Sequence, residues 1–102
     1  MANALYDFGR QGFLDGSIDW DTNNIKLILG DAADYTANLS THDNLDDAAA
    51  ASPVATTSNL ASKTVTAGVG DAADVLLTSV TGDQSEFILI YADSGVESSS
   101  RL

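Results

Sequence analysis

The longest uninterrupted apolar run in this 102-residue chain is Phe87-Ile88-Leu89-Ile90-Tyr91-Ala92. Six residues fall far short of the roughly 20 needed to cross a bilayer, so the run predicts a strand at the centre of a sheet. A second run, Ile25-Lys26-Leu27-Ile28-Leu29, is apolar on both faces apart from Lys26 and predicts another well-buried strand. The surrounding sequence favours turns. Thirteen of the fifteen acidic residues are Asp, whose short carboxylate competes for nearby backbone N–H groups. Ser and Thr are abundant and Pro53 is the single proline. The fold class expected is mainly β: a small antiparallel β-sandwich or sheet with one short N-terminal α-helix and a long Asp/Ala-rich connection.

The length allows one domain, residues 1–102, with a helix at about 3–14, a β-rich part at 18–92 and a polar tail at 93–102. In the helix, Leu5, Phe8, Gly12 and Phe13 lie near helical spacing, Asn3 is the expected N-cap, Asp7 suits the dipole and Gly16 is the expected stop. Gly9 and Gly12 weaken its interior. A turn at Thr22-Asn23-Asn24 precedes the 25–29 strand. The polar stretch 30–52 is long for a structureless loop, so its 43–51 part either forms a short helix or reaches a partner. Further β segments are expected at 54–59 and 63–66, a flexible break at 67–70, and a hairpin pairing 74–80 with 86–92. The pentapeptide Gly30-Asp31-Ala32-Ala33-Asp34 recurs as Gly70-Asp71-Ala72-Ala73-Asp74, which reads as one turn chemistry used twice. Met1 to Gly9 has neither the basic region nor the apolar run of a secretory signal.

The chemistry-bearing residues form no recognisable active site. Cysteine is absent, which removes disulfides, thiolate zinc sites and cysteine nucleophiles. The net charge of −11 opposes binding to nucleic acid or anionic membranes. Asp19-Trp20-Asp21-Thr22-Asn23-Asn24 opens like a calcium loop but has Asn24 where Gly is required and Gly30 where a bidentate Glu is needed, so a structural turn is favoured. His42, the only histidine, could form a dyad with Asp43, yet no nucleophile elbow accompanies it, so a contact role is favoured. The Asp pairs 31/34, 46/47 and 71/74 are expected by chance among thirteen Asp. Trp20 reads as half-buried packing with its N–H on a carbonyl, with sugar stacking as the sharper alternative. No catalytic residue, cofactor or metal site is therefore assigned. Candidate contact residues are Leu5, Phe8, Phe13, Trp20, Tyr35, Leu39 and His42.

The run Ala4-Leu5-Tyr6-Asp7-Phe8-Gly9-Arg10-Gln11-Gly12-Phe13-Leu14-Asp15-Gly16-Ser17-Ile18-Asp19-Trp20 resembles a family of small virion-associated or uncharacterised proteins of tailed bacteriophages. The likeness continues through Ile25-Lys26-Leu27, Asp34-Tyr35-Thr36, Leu39, His42, 63–69, 71–75, 82–86 and Ile90-Tyr91. Similar proteins continue with another apolar strand, a Pro/Gly/Asn turn and a final strand. The resemblance thus leaves three readings of this chain: a shorter member, missing C-terminal strands, or strands supplied by a neighbouring subunit. It implies a non-enzymatic virion structural protein, most simply a head decoration (cement) subunit located in the virion and assembled in the bacterial cytoplasm. The partners implied are the major capsid protein or neck and tail proteins, and further copies of itself. A neck or tail component, or a displayed carbohydrate-binding module using Trp20 and Tyr35, is the alternative.

Overall fold

The computed structural model describes residues 4–48, 55–77, 80, 87–96 and 99–102. Its elements in chain order are α1 (Asp7–Asp15), β1 (Ile25–Gly30), α2 (Leu45–Ala48), β2 (Ala55–Thr56), β3 (Thr64–Thr66), β4 (Val69–Asp71) and β5 (Phe87–Ala92). The mainly β character holds, and the two apolar runs lie where expected, paired with each other. The larger sheet has the order β2-β1-β5, all antiparallel, with Ile28 opposite Leu89 and Leu27 opposite Ile90. β3 and β4 form a separate two-stranded hairpin.

One face of the larger sheet carries the core. Ile28, Leu89 and Tyr91 are buried there with Tyr6, Ala48 and Leu102, and Tyr35, Ala37, Leu45 and Phe87 pack at the margin. Among the described residues this face is covered by the start of α1, by α2 and by the C-terminal residues, and no second sheet packs on it. Burial of this apolar face stabilises the fold, and Ile18, Ile25 and Leu60 are buried outside this cluster.

The C-terminal residues correct the expectation of a polar tail. Arg101 exchanges both backbone hydrogen bonds with Ala92, at 2.8 and 3.1 Å. On its other side Leu45 N–H donates to Ser100 O at 2.7 Å and Leu102 N–H to Asp43 O at 3.1 Å. Residues 100–102 thus bridge β5 and the 43–45 segment through isolated pairings at Arg101. The fully buried Ser100 is satisfied: its hydroxyl accepts from Ser94 N–H and donates to Val96 O.

α1 begins at Asp7, four residues after the expected start, with Tyr6 as an N-cap whose side chain does not cap the helix. Asn3 lies outside the described residues. Gly16 does end the helix, with a φ of 82° that suits glycine. The stripe Leu5, Phe8, Gly12 and Phe13 does not face the core as a unit, because Leu5 is 57% and Phe13 48% exposed. The buried side is Gly9 and Gly12, where the helix backbone rides directly on Leu102, Arg101 and Ile18.

Other expectations change as well. The 74–80 segment does not pair with β5 over its described residues; the strand paired with β5 is β1. The 67–70 break is a tight turn, with Ala67 at φ 51° and Gly68 at φ 80°, joining β3 to β4. Among the described residues of 54–59, which leave out Val54, Ala55 and Thr56 are strand, extended by Thr57, whose N–H donates to Leu27 O and whose hydroxyl accepts from Leu27 N–H. The 43–51 stretch does contain a short helix, Leu45–Ala48. Among the described residues no helix is long and apolar enough to cross a membrane.

Candidate functional site

The 30–43 connection is ordered by side chains, not by a ladder. Asn38 Oδ1 accepts from the N–H groups of Ser40 and Thr41, and Asp7 N–H donates to Leu39 O at 2.8 Å, fixing the segment to the start of α1. Tyr35 then points inward, with its hydroxyl 2.7 Å from Tyr6 Oη and 2.8 Å from His42 Nδ1. Asn38 N–H also reaches Nδ1, at 3.2 Å. A backbone N–H can only donate, so Nδ1 is the unprotonated nitrogen and the chain runs Tyr6 O–H to Tyr35 O–H to His42 Nδ1.

Burial raises both tyrosines above their usual value. For Tyr35 the hydrogen bond and charge of Tyr6 and the charge of Asp47 add to it; for Tyr6 the bond to Tyr35 opposes and Asp47 adds. The cluster therefore holds its hydroxyls neutral. It is a fixed polar network inside a small core, with the rings of Tyr35 and Phe87 5.9 Å apart. His42 Nδ1 is taken by Tyr35 and Asn38, not by Asp43, so the imagined dyad is not the arrangement present.

The remaining candidates divide among separate places. Phe13 and Trp20 line an open groove of about 490 Å³ with Ile18 and Val65. Trp20 Nε1–H donates to Asp71 O at 3.1 Å, and its indole lies in ordinary contact with the Cβ position of Gly70. That is the packing role expected from sequence. Tyr35 bonds instead within the Tyr6 network, so the two aromatics proposed for sugar stacking have no partner in common. Phe8 lies beneath the guanidinium of Arg101, 3.7 Å from carbon to ring centroid. Leu39 is 37% exposed and contributes through its carbonyl.

The acidic candidates serve turns. Asp19 N–H donates to Asn23 Oδ1 and Asn23 N–H to Asp19 O, closing the 19–23 turn. The neighbouring carboxyls of Asp19 and Asp21 act on each other so that the first is lowered and the second raised; Thr22 also lowers Asp19. The two copies of the repeated pentapeptide differ: Asp31 accepts from Ala33 N–H at the head of a 31–34 turn closed by Asp34 N–H on Asp31 O, whereas Gly70 and Asp71 end β4 and Asp71 accepts from the next residue, Ala72, so the expectation of one turn chemistry used twice does not hold. Asp43, Asp46 and Asp47 bring carboxylate oxygens within 4.8 Å of one another. Asp47 is engaged as a cap: the N–H groups of Asp43 and Asn44 donate to it and hold its carboxyl below the usual range.

No family model, curated protein or solved structure matches this chain. Its surfaces must therefore be read from their own chemistry. Residues directly opposite in an antiparallel ladder share a face, so Leu27 with Ile90 and Leu29 with Ile88 form a second, outward face. Ile88 is 62% and Ile90 49% exposed on it. Sequence reasoning missed this face because every residue of β5 is apolar. Alternation between in and out leaves no trace in a run of uniform polarity.

Proposed function

We propose that this chain is a non-enzymatic structural subunit of a tailed-bacteriophage virion, a head decoration subunit that works through subunit contacts. The observation that carries the reading is the outward sheet face of Leu27, Leu29, Ile88 and Ile90. Contiguous exposed isoleucines beside half-buried leucines mark an interaction surface. The assignment to a virion draws on the sequence resemblance. The net charge of −11 fits the role, since it keeps free copies apart and favours docking on a more basic shell. The carbohydrate-binding alternative has less support, because Trp20 packs on the β3–β4 hairpin and shares no partner with Tyr35.

Light scattering of the purified chain with empty phage heads tests the proposal. Saturable binding in a symmetry-related copy number is expected, with at least a ten-fold loss in the Ile88→Lys/Ile90→Lys double variant. Leu14→Lys, at a position 89% exposed on α1, should bind as the parent does. A chain that ignores heads at every concentration would end the decoration reading.

A further inference from the structure

The groove beside Trp20 lies between the end of α1 and the β3–β4 hairpin, apart from the sheet face of Ile88 and Ile90. One wall runs from Phe13 in the last turn of α1 to Asp19 and Trp20, and the other is the hairpin at Val65 and Gly70. Its volume of about 490 Å³ lies within the range of small-ligand sites, roughly 300–1,000 Å³. The walls are apolar and open, with Phe13 48% and Val65 57% exposed. Trp20 is half-buried and held in place: Nε1–H donates to Asp71 O at 3.1 Å, and the five-membered side of the indole touches the Cβ position of Gly70. A fixed indole is a ready stacking platform.

Negative charge converges on the same groove. Asp19 lines it and Asp21 stands beside Asp19. The C-terminal turn of α1, which ends at the groove in Gly16, carries Asp15 and no basic residue, so the negative end of the helix is uncompensated. Asp21 is raised by its Asp19 neighbour, as expected where carboxylates crowd without a matching cation. The chain's own four bases are engaged elsewhere. Arg10 pairs with Asp7, Lys26 with Asp93, Lys63 donates to Asn23 O, and Arg101 lies over Phe8; none of them lines the groove.

We infer that this groove seats an arginine side chain of a partner polypeptide, with its guanidinium stacked on Trp20 and hydrogen-bonded to Asp19 and its alkyl stem along Phe13 and Val65. A planar guanidinium stacks on an indole and still presents its N–H fork to a carboxylate at the ring's edge, which a lysine ammonium does not do. The apolar walls take the methylene stem. A second copy is a poor donor of that arginine, because it brings another −11.

Trp20 is the only tryptophan, so its fluorescence reports the groove directly. The full chain is titrated at constant ionic strength with acetyl-Gly-Arg-Gly-amide and with its lysine and citrulline counterparts. A saturable change in emission is expected with the arginine peptide, and about ten-fold weaker binding of the uncharged citrulline and of lysine. Asp19→Asn keeps a side-chain oxygen for the 19–23 turn while removing the charge. Val65→Lys places a cation in the groove from an exposed strand position. Each should weaken the arginine peptide about ten-fold with the urea midpoint close to the parent's. Val65→Lys carries the test alone if Asp19→Asn unfolds. No saturable change, equal binding of citrulline or lysine, or undiminished binding in the folded variants would overturn the inference. A response to maltotriose in place of the peptide would name a sugar as the occupant and overturn it too. So would an emission shift that follows protein concentration without peptide, by naming a second copy. None of these outcomes touches the decoration reading, which the head-binding experiment judges.

Discussion

Gly9 has a value that helix propensity alone misjudges. A Cβ there would lie 2.6 Å from the backbone oxygen of Leu102. Replacing Gly by Ala in a helix interior normally gains about 1 kcal/mol. Here overpacking against backbone reverses the sign, and Gly9→Ala should lose roughly 1–3 kcal/mol in urea unfolding. A gain would mean that α1 does not ride on the C-terminal residues. Tyr35 is the second decisive residue. Tyr35→Phe leaves the buried Tyr6 hydroxyl and His42 Nδ1 without their shared partner, at a cost of about 1–3 kcal/mol. Because folding raises both tyrosines above their ordinary value of 10.0, their contribution is fully present below pH 10 and is lost as pH rises beyond it. Urea midpoints between pH 8 and 11 should fall above pH 10 in the parent and more shallowly in Tyr35→Phe. Parallel curves would show that Tyr35 is not held neutral by the fold.

At the scale of elements, the C-terminal segment is what closes the core. Leu102 is 6% exposed and Ser100 is fully buried, although the sequence around them is Ser-rich and polar. Leu102→Ala should cost about 2–5 kcal/mol, the usual range for a leucine deleted from a core. Thermal unfolding measures it; an unchanged midpoint would place Leu102 on the surface. The two apolar runs were legible as strands because nothing else in the chain is so uniformly apolar. Their pairing with each other was not legible. Sequence proximity favours 74–80 as the partner of β5, whereas β1 offers a full six-residue antiparallel register ending in Gly30 opposite Phe87. The Asp/Ala-rich connection was legible as needing structure, but not that Tyr35, Asn38 and His42 supply it.

For the whole molecule the dominant quantity is charge. Fifteen acids against four bases make the compact state repel itself. The described ion pairs, Arg10–Asp7 and Lys26–Asp93, engage two of the four bases. Raising sodium chloride from about 0.01 M to 0.5 M shortens the screening length from about 30 Å to a few ångströms. The urea midpoint should therefore rise with salt while binding to a basic shell weakens. A midpoint that fell with salt would mean that the ion pairs outweigh the self-repulsion.

Read residue by residue, the chain is cysteine-free, acidic and turn-rich, with two strand-forming apolar runs and a glycine-stopped helix. These follow from local propensity and from charge, which act without knowledge of neighbours. Only the tertiary structure decided which face of each element is buried. In β5 every side chain is apolar, so the pairing with β1 and the arrival of Leu102 choose Leu89 and Tyr91 for the core and leave Ile88 and Ile90 outside. In α1 the close approach of Gly9 to Leu102 and of Gly12 to Arg101 and Ile18 makes two glycines, not the aromatic stripe, the packing face. Burial is settled by which surfaces meet, and that meeting is a property of distant residues brought together, not of any segment read alone.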